Sequence, residues 1–281
     1  MQRMQNKKIV FVIGGSSGIG YYIARHLAAK GMKVYSGGRS FKNQEGTSVF
    51  EDGSGYQKLF VDVTEADTLR HAVETILAAE QRIDVLINCA AQLCLGAAED
   101  LSIEEYQDII NINYLGVIRC CQAVLPVMRQ QRSGNIINLS SINGLLATPF
   151  TSAYVGSKHA IEGFSEALSL EVKKWGIHIT LIEPSDHRNG SKATRKHAKR
   201  ALDESSPYYP EYKKVTDKIA HDEETGSDPA GVGELVYKIL QTKKPALRYR
   251  VGKFDQKLTV VLKKILPTRV FEGIIYGYYL K

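Results

Sequence analysis

Short apolar runs recur along the chain: KIVFVI at 8–13, MKVYSG at 32–37, KLFVDV at 58–63, DVLINC at 84–89, GNIINLS at 134–140 and IHITLIEP at 177–184. Each has the length of a strand, and several are rich in β-branched residues, as strands covered on both faces require. Between them lie segments with helical periodicity. YYIARHLAAK follows the first run and ends at Gly31, and two longer helical stretches span about 103–131 and 153–175. Such β-α alternation predicts an α/β fold, a doubly wound parallel sheet with helices on both faces. A chain of 281 residues is long enough to bury one core of this kind, here read as residues 1–245.

Residues 246–281 read as a carboxy-terminal extension. Leu258, Val261, Leu262 and Ile265 recur at helical spacing, with Lys257, Lys263 and Lys264 falling elsewhere. Pro267 then starts a second short helix containing Val270, Phe271, Ile274 and Ile275. The expectation is that this amphipathic pair packs on the parent domain. A sister subunit and a membrane surface are the other partners such a stripe can take.

The first apolar run leads directly into GGSSGIG at 14–20 and then into a helical segment. Strand, glycine turn and helix form the context in which a glycine fingerprint binds a dinucleotide. Gly14 allows the tight turn, Gly18 allows backbone approach to a pyrophosphate, and Gly20 lets the helix pack on the sheet. The helix N-terminus, with Ser16, Ser17 and Ile19 beside it, offers N–H groups and a positive dipole end to phosphates. An enzyme of this kind that uses NAD carries an acid about twenty residues beyond the glycines. KVYSGGRS places Gly38 there and Arg39 next to it, and a guanidinium suits bidentate phosphate binding. NADP(H) is therefore the expected cofactor, with Ser17 offering a further hydroxyl.

In SINGLLATPFTSAYVGSK, Ser141 stands thirteen residues before Tyr154 and Lys158 four after it. Four residues is about one helical turn, so Tyr154 and Lys158 share a helix face. An ammonium beside a phenol favours the phenolate. An unperturbed tyrosine titrates near pH ~10, so a base working near neutrality needs a shift of roughly three units, about 4 kcal/mol. Ser141 is placed to hydrogen-bond a carbonyl oxygen on which charge develops. This is chemistry for interconverting an alcohol and a ketone.

Over residues 8 to about 240 these pieces together resemble the short-chain dehydrogenase/reductase family. The family's T-G-x-x-x-G-x-G is Ile13-Gly14-Gly15-Ser16-Ser17-Gly18-Ile19-Gly20, with isoleucine for threonine. Its adenine-contacting Asp-Val is Asp62-Val63, and its N-N-A-G appears as Asn88-Cys89-Ala90-Ala91. Its N-x-x-G is Asn113-Tyr114-Leu115-Gly116, and its proline-glycine motif is Pro184-Ser185-Asp186-His187-Arg188-Asn189. The resemblance implies a Rossmann fold and a catalytic tetrad of Asn113, Ser141, Tyr154 and Lys158. It implies that Lys158 also holds the ribose and that Asn113 positions a relay water. It further implies that Asn88 and Ala90 border the cofactor, and that Pro184, Ser185, His187 and Asn189 border its nicotinamide end. Isoleucine at 13 removes a side chain that in the family braces the loop at 88–91, where Cys89 and Ala91 are themselves altered. IEPSDHRNG is similar to the I-E-P-G-N-F-R-T-G of the steroid and retinol (17-beta-hydroxysteroid dehydrogenase-like) branch. The implied activity is oxidation or reduction of a lipophilic alcohol or ketone such as a steroid, bile acid or retinoid. A 3-oxoacyl-thioester reductase uses the same tetrad, and a non-catalytic NADP(H) sensor or scaffold needs only the glycine loop. The family is usually dimeric or tetrameric, and it places a substrate loop and lid helices at about 187–225.

Composition alters this picture little. Cys89, Cys94, Cys120 and Cys121 include no C-x-x-C pair and read as free thiols in apolar segments, which fits a reducing cytoplasm. The histidines are scattered without ligand spacing, so no metal site is expected. MQRMQNKK runs straight into the first strand, so no signal peptide is expected, and no run of about eighteen apolar residues suggests a membrane span. The net charge of +7 is concentrated in HRNGSKATRKHAKR at 187–200. That stretch reads as a solvated lid, or else as a collar for an anionic substrate. No nucleic-acid-binding motif accompanies it.

Overall fold

The computed structural model describes residues 7–188 and 195–281. Its strands are β1 (Ile9–Ile13), β2 (Lys33–Gly38), β3 (Gly46–Val49), β4 (Gly55–Phe60), β5 (Val85–Asn88), β6 (Leu93–Leu95), β7 (Gly134–Leu139), β8 (Ile177–Pro184), β9 (Arg195–His197) and β10 (Arg248–Val251). Its helices are α1 (Gly18–Ala29), α2 (Ala66–Glu80), α3 (Ile103–Ile110), α4 (Gly116–Gln131), α5 (Ser152–Val172), α6 (Tyr209–Glu224), α7 (Ala230–Gln241), α8 (Phe254–Ile265) and α9 (Thr268–Leu280). A π-helical turn, Asn111–Leu115, joins α3 to α4.

Eight strands form one sheet in the order β10-β8-β7-β5-β1-β2-β4-β3, while β6 and β9 pair separately. The chain winds outward from β1 in one direction and from β5 in the other. The sheet is therefore doubly wound, with its crevice above the junction of β1 and β5. Alternation along β1 sorts the helices onto two faces. Val10 and Val12 pack with Ile23 and Leu27 of α1 and with Val236 and Ile239 of α7. Ile9, Phe11 and Ile13 pack with Leu69 and Ile76 of α2, Val124 of α4 and Ile161 of α5. Burying each such side chain contributes about 1.5–3 kcal/mol, which makes this two-sided core the main source of stability.

Two strands of the eight-stranded sheet lie outside the apolar runs of the sequence. β3 runs antiparallel to β4 at the sheet edge, and its residues Gly46, Thr47 and Val49 are exposed, so no buried face marks it. β10 extends the sheet beyond β8 with two arginines in a four-residue strand. Arg248 meets Glu162 at 3.0 Å and Glu183 at 3.3 Å, and Arg250 meets Glu183 at 2.8 Å. Ion pairing to a fully buried carboxylate replaces the apolar burial that usually identifies a strand. The sheet thus continues into residues 246–281, and the helical part of the extension begins at Phe254.

By length and composition the run Ile103–Gln131 is long and apolar enough to cross a membrane, which the sequence analysis did not anticipate. In the fold, its Val117, Cys120, Cys121, Val124 and Met128 belong to the core beneath the sheet. All four cysteines are free, and burial pushes the Cys89 and Cys121 thiols up to about 12.

Candidate active site

The carboxyl ends of the parallel strands open into a cavity of about 860 Å³. Ile13 and Gly38 bring the ends of β1 and β2 to it. The loops after β4, β5 and β7 bring Asp62, Val63, Ala90, Ser140 and Ser141, and Pro184 ends β8 there. This is where the switch point of a doubly wound sheet places a ligand.

The glycine loop occupies the β1–α1 turn, and Gly14, Ser16, Ser17, Gly18, Ile19 and Gly20 all line the cavity. Gly14 has φ +80°, and a Cβ there would lie 2.6 Å from the backbone nitrogen of Ala90. Only glycine fits between the two loops. Ser17 is the N-cap of α1 but makes no side-chain capping hydrogen bond, so the first N–H groups are left to an anion. At the end of the β1–β5 ladder the Cys89 N–H donates to the Ile13 carbonyl at 2.8 Å, so main chain ties the two loops together. Arg39 is exposed, lines the cavity directly after β2, and makes no ion pair with any described residue. The Asp62 carboxylate accepts from the Thr64 N–H at 2.9 Å and its hydroxyl at 2.7 Å, which fixes the loop after β4. A glycine cradle, an uncapped helix start and a free guanidinium are a donor set that fits a phosphorylated dinucleotide.

Tyr154 and Lys158 lie one turn apart on α5, and Ser141 begins the loop after β7; all three line the cavity. The Ser141 hydroxyl accepts from the Asn143 N–H at 3.1 Å and favours ionisation of the Tyr154 phenol. The Lys158 ammonium donates to the Leu139 carbonyl at 2.8 Å and stands 5.6 Å from the Tyr154 ring centre. Burial pushes the Tyr154 phenol up to about 12; the Ser141 hydroxyl opposes this, and the Glu223 and Asp186 charges reinforce it. The expected depression of this phenol by Lys158 is absent here. Burial holds Lys158 itself down at about 8, and its ammonium is turned to Leu139. With a value of about 12, the Tyr154 phenol keeps its proton at neutral pH.

The two asparagines stand behind the cavity wall. Asn113, fully buried in the π-helical turn, accepts from the Gln92 N–H at 2.7 Å and donates to the Gln92 carbonyl at 2.9 Å and the Ser157 hydroxyl at 3.0 Å. Both of its amide protons are used, so the side chain clamps the loop after β5 to α5 and offers no donor to a relay water. Asn88 donates to Asn138 at 2.8 Å inside the core and does not border the cavity. Ser185 and His187 do line it, while Asn189 falls outside the described residues.

The far wall comes from the lid and the extension. Ile219 and Glu223 of α6, Gln256 and Thr259 of α8, and Ile274, Ile275, Tyr278 and Tyr279 of α9 reach the cavity. The extension is stitched to the loop after β8. The Lys253 N–H donates to the Ser185 hydroxyl at 3.0 Å, and the Asp186 N–H donates to the Gln256 side chain at 3.0 Å. Sequence reasoning did not find Asp186 or Glu223 as site residues. Burial raises the Asp186 carboxyl to about 6, with Asp222 and Glu223 adding to the rise, and Glu223 pairs with Arg195. His187 apart, the described residues of the basic stretch do not line the cavity, and the charged residues that α6, α8 and the loop after β8 bring to it are the carboxylates Asp186, Glu223 and Asp255.

The short chain dehydrogenase family matches residues 8–199, and the chain belongs to that family. It is an oxidoreductase by membership. A 3-ketodihydrosphingosine reductase of Bacteroides thetaiotaomicron is 35% identical, covering 97% of this chain and 98% of that one. Human 17-beta-hydroxysteroid dehydrogenase type 1 is 30% identical over 86% of this chain and 77% of its own. A short-chain dehydrogenase from Streptomyces avermitilis superposes with a TM-score of 0.79 at 28% identity, covering 97% of this chain and 98% of that one.

Proposed function

We propose that this protein is an NADP(H)-dependent oxidoreductase that interconverts a secondary alcohol and a ketone on a lipophilic substrate. The observation that carries the proposal is that Ser141, Tyr154 and Lys158 line the same cavity as the glycine loop and Arg39. NADP(H), when bound, supplies or accepts the hydride. Arg39 and Ser17 select the phosphorylated cofactor. Ser141 orients the carbonyl oxygen, Tyr154 gives it a proton in the reductive direction, and Lys158 holds the ribose. Asn113 is a positioning residue, keeping the Gln92 loop and α5 in register. Tyr154→Phe should lower turnover about 100- to 10,000-fold, the usual worth of a positioned acid. NADPH binding, followed by fluorescence, should stay unchanged. Turnover surviving that substitution would refute the mechanism.

Among lipophilic ketones, the Asp186 carboxylate, which lines the cavity and whose charge acts on Tyr154, favours one that carries an ammonium. A neutral steroid or retinoid gains nothing from Asp186, and a bile acid or acyl thioester bearing negative charge is repelled by it. 3-Ketodihydrosphingosine, the compound in the name of the Bacteroides relative, is a long-chain amino ketone. With such a substrate, Asp186→Asn should lower kcat/KM about 10- to 100-fold, the range for losing a charged hydrogen bond. The same change should leave a steroid ketone unaffected. Activity on the amino ketone should also decline as pH falls through about 6, where Asp186 takes up a proton. Preference for steroid ketones, with no dependence on residue 186, would return the substrate to the steroid branch.

A further inference from the structure

The helix pair α8–α9 packs on the domain through the buried Val260 and Phe271, which cluster with Leu146, and through the partly buried Leu262, Leu266 and Ile275. The stripe Phe254, Leu258, Val261 and Ile265 faces outward; Phe254 is 76% and Ile265 68% exposed. These residues follow one another at intervals of four, three and four, so they form a continuous strip along α8. On α9, Val270, Ile274 and Tyr278 make a second exposed strip. Eight of the fourteen exposed large hydrophobic residues among those described fall in these two helices; the other six are scattered singly. A concentration of this kind marks an interaction surface.

Two further observations indicate what covers it. Lys257, Lys264 and Arg269 flank the strips without an ion pair to any described residue. The pair as a whole carries five basic residues, with Lys263 and Lys281, against Asp255 and Glu272. In addition, Ile274 and Tyr278 are both exposed and part of the cavity lining, so the apolar surface continues into the mouth of the active site. We infer that α8–α9 docks on the surface of an anionic lipid bilayer. The apolar strips enter the headgroup boundary, the free cations meet lipid phosphates, and the cavity mouth lies against the membrane. The purpose of this arrangement, delivery of substrate out of the bilayer, rests on the lipophilic-substrate proposal, whereas the docking itself does not.

The test is flotation of the full-length protein with vesicles of phosphatidylcholine alone and of phosphatidylcholine with phosphatidylglycerol. Binding should be confined largely to the anionic vesicles and should fall as salt is raised. Phe254→Ser combined with Ile265→Ser should weaken it roughly tenfold or more. Lys264→Glu combined with Arg269→Glu should do the same on anionic vesicles. Neither pair lines the cavity, so NADPH binding and the melting temperature, measured alongside, should not move. The inference is overturned if the wild-type protein does not float with anionic vesicles, or if the variants float equally well. It is also overturned if light scattering shows the serine pair dissolving an oligomer while vesicle binding is absent, since the strips are then a subunit interface. Vesicle binding without turnover of any lipophilic ketone would instead refute the substrate proposal and leave the docking intact.

Discussion

Where β1 turns into α1, a methyl group on Gly14 would lie 2.6 Å from a backbone nitrogen; where α8 begins, most of the Phe254 side chain stands in solvent. Both elements contribute to the wall of one cavity, and they are held by different physics. The cofactor side is main chain against main chain, with close approaches that admit one residue type. The other side is two helices held by a small apolar cluster and a handful of hydrogen bonds, with eight large apolar side chains left exposed. A close-packed backbone cradle tolerates little change. A lightly attached helix pair can be resurfaced for a new substrate or surface without disturbing the chemistry.

That contrast breaks if the cofactor side proves tolerant. Gly14→Ala is the severest trial, because a left-handed φ costs a non-glycine residue about 1–3 kcal/mol before any clash with Ala90. NADPH affinity should fall about 100-fold or more on that basis, and unchanged calorimetric titration would end the argument. Lys158→Met sharpens the contrast by separating stability from function. The fold lowers the lysine from 10.5 to about 8, so between those values the unfolded chain holds the extra proton and stability rises with pH. Below about pH 8 the penalty for burying the ammonium is fully present. The variant should therefore lose turnover yet gain up to about 3 kcal/mol in urea unfolding at pH 7, less whatever the bond to Leu139 contributes. The gain should shrink towards the unfolded value of 10.5. Arg39→Ala is the mildest of the three. The KM for NADPH should rise roughly tenfold while that for NADH stays unchanged, since an exposed charge-assisted contact is lost. Equal effects on both cofactors would remove the basis for NADP(H) preference.

The sequence disclosed what depends on pattern and spacing. Runs such as KIVFVI became the buried strands, and Gly14, Arg39, Ser141, Tyr154 and Lys158 all reached the cavity. Orientation was less legible. Asn88 and Asn113 fit the family's motifs, yet both side chains turn into the core, because a motif gives residue type and order but not the facing of the side chain. On α8 the spacing identified a helix, but Leu258, Val261 and Ile265 face out and Val260 faces in. β10 escaped notice because its half-buried arginines are held by ion pairs and not by apolar packing. The carboxylate of Glu223 acts on Tyr154 across a long stretch of chain that only the folded lid brings close.

Gly252, at φ +120°, leaves so little space that a Cβ would overlap the Ser185 hydroxyl, and the Lys253 N–H is bonded to that hydroxyl at 3.0 Å. The helix pair and the loop expected to border the nicotinamide therefore share one hinge. Thermodynamic reciprocity then applies: whatever factor a bound cofactor imposes on the affinity of the helix pair for its surface, that surface imposes on cofactor affinity. If the helix pair docks as inferred and cofactor binding alters that docking, the tightness of cofactor binding would report where the protein is.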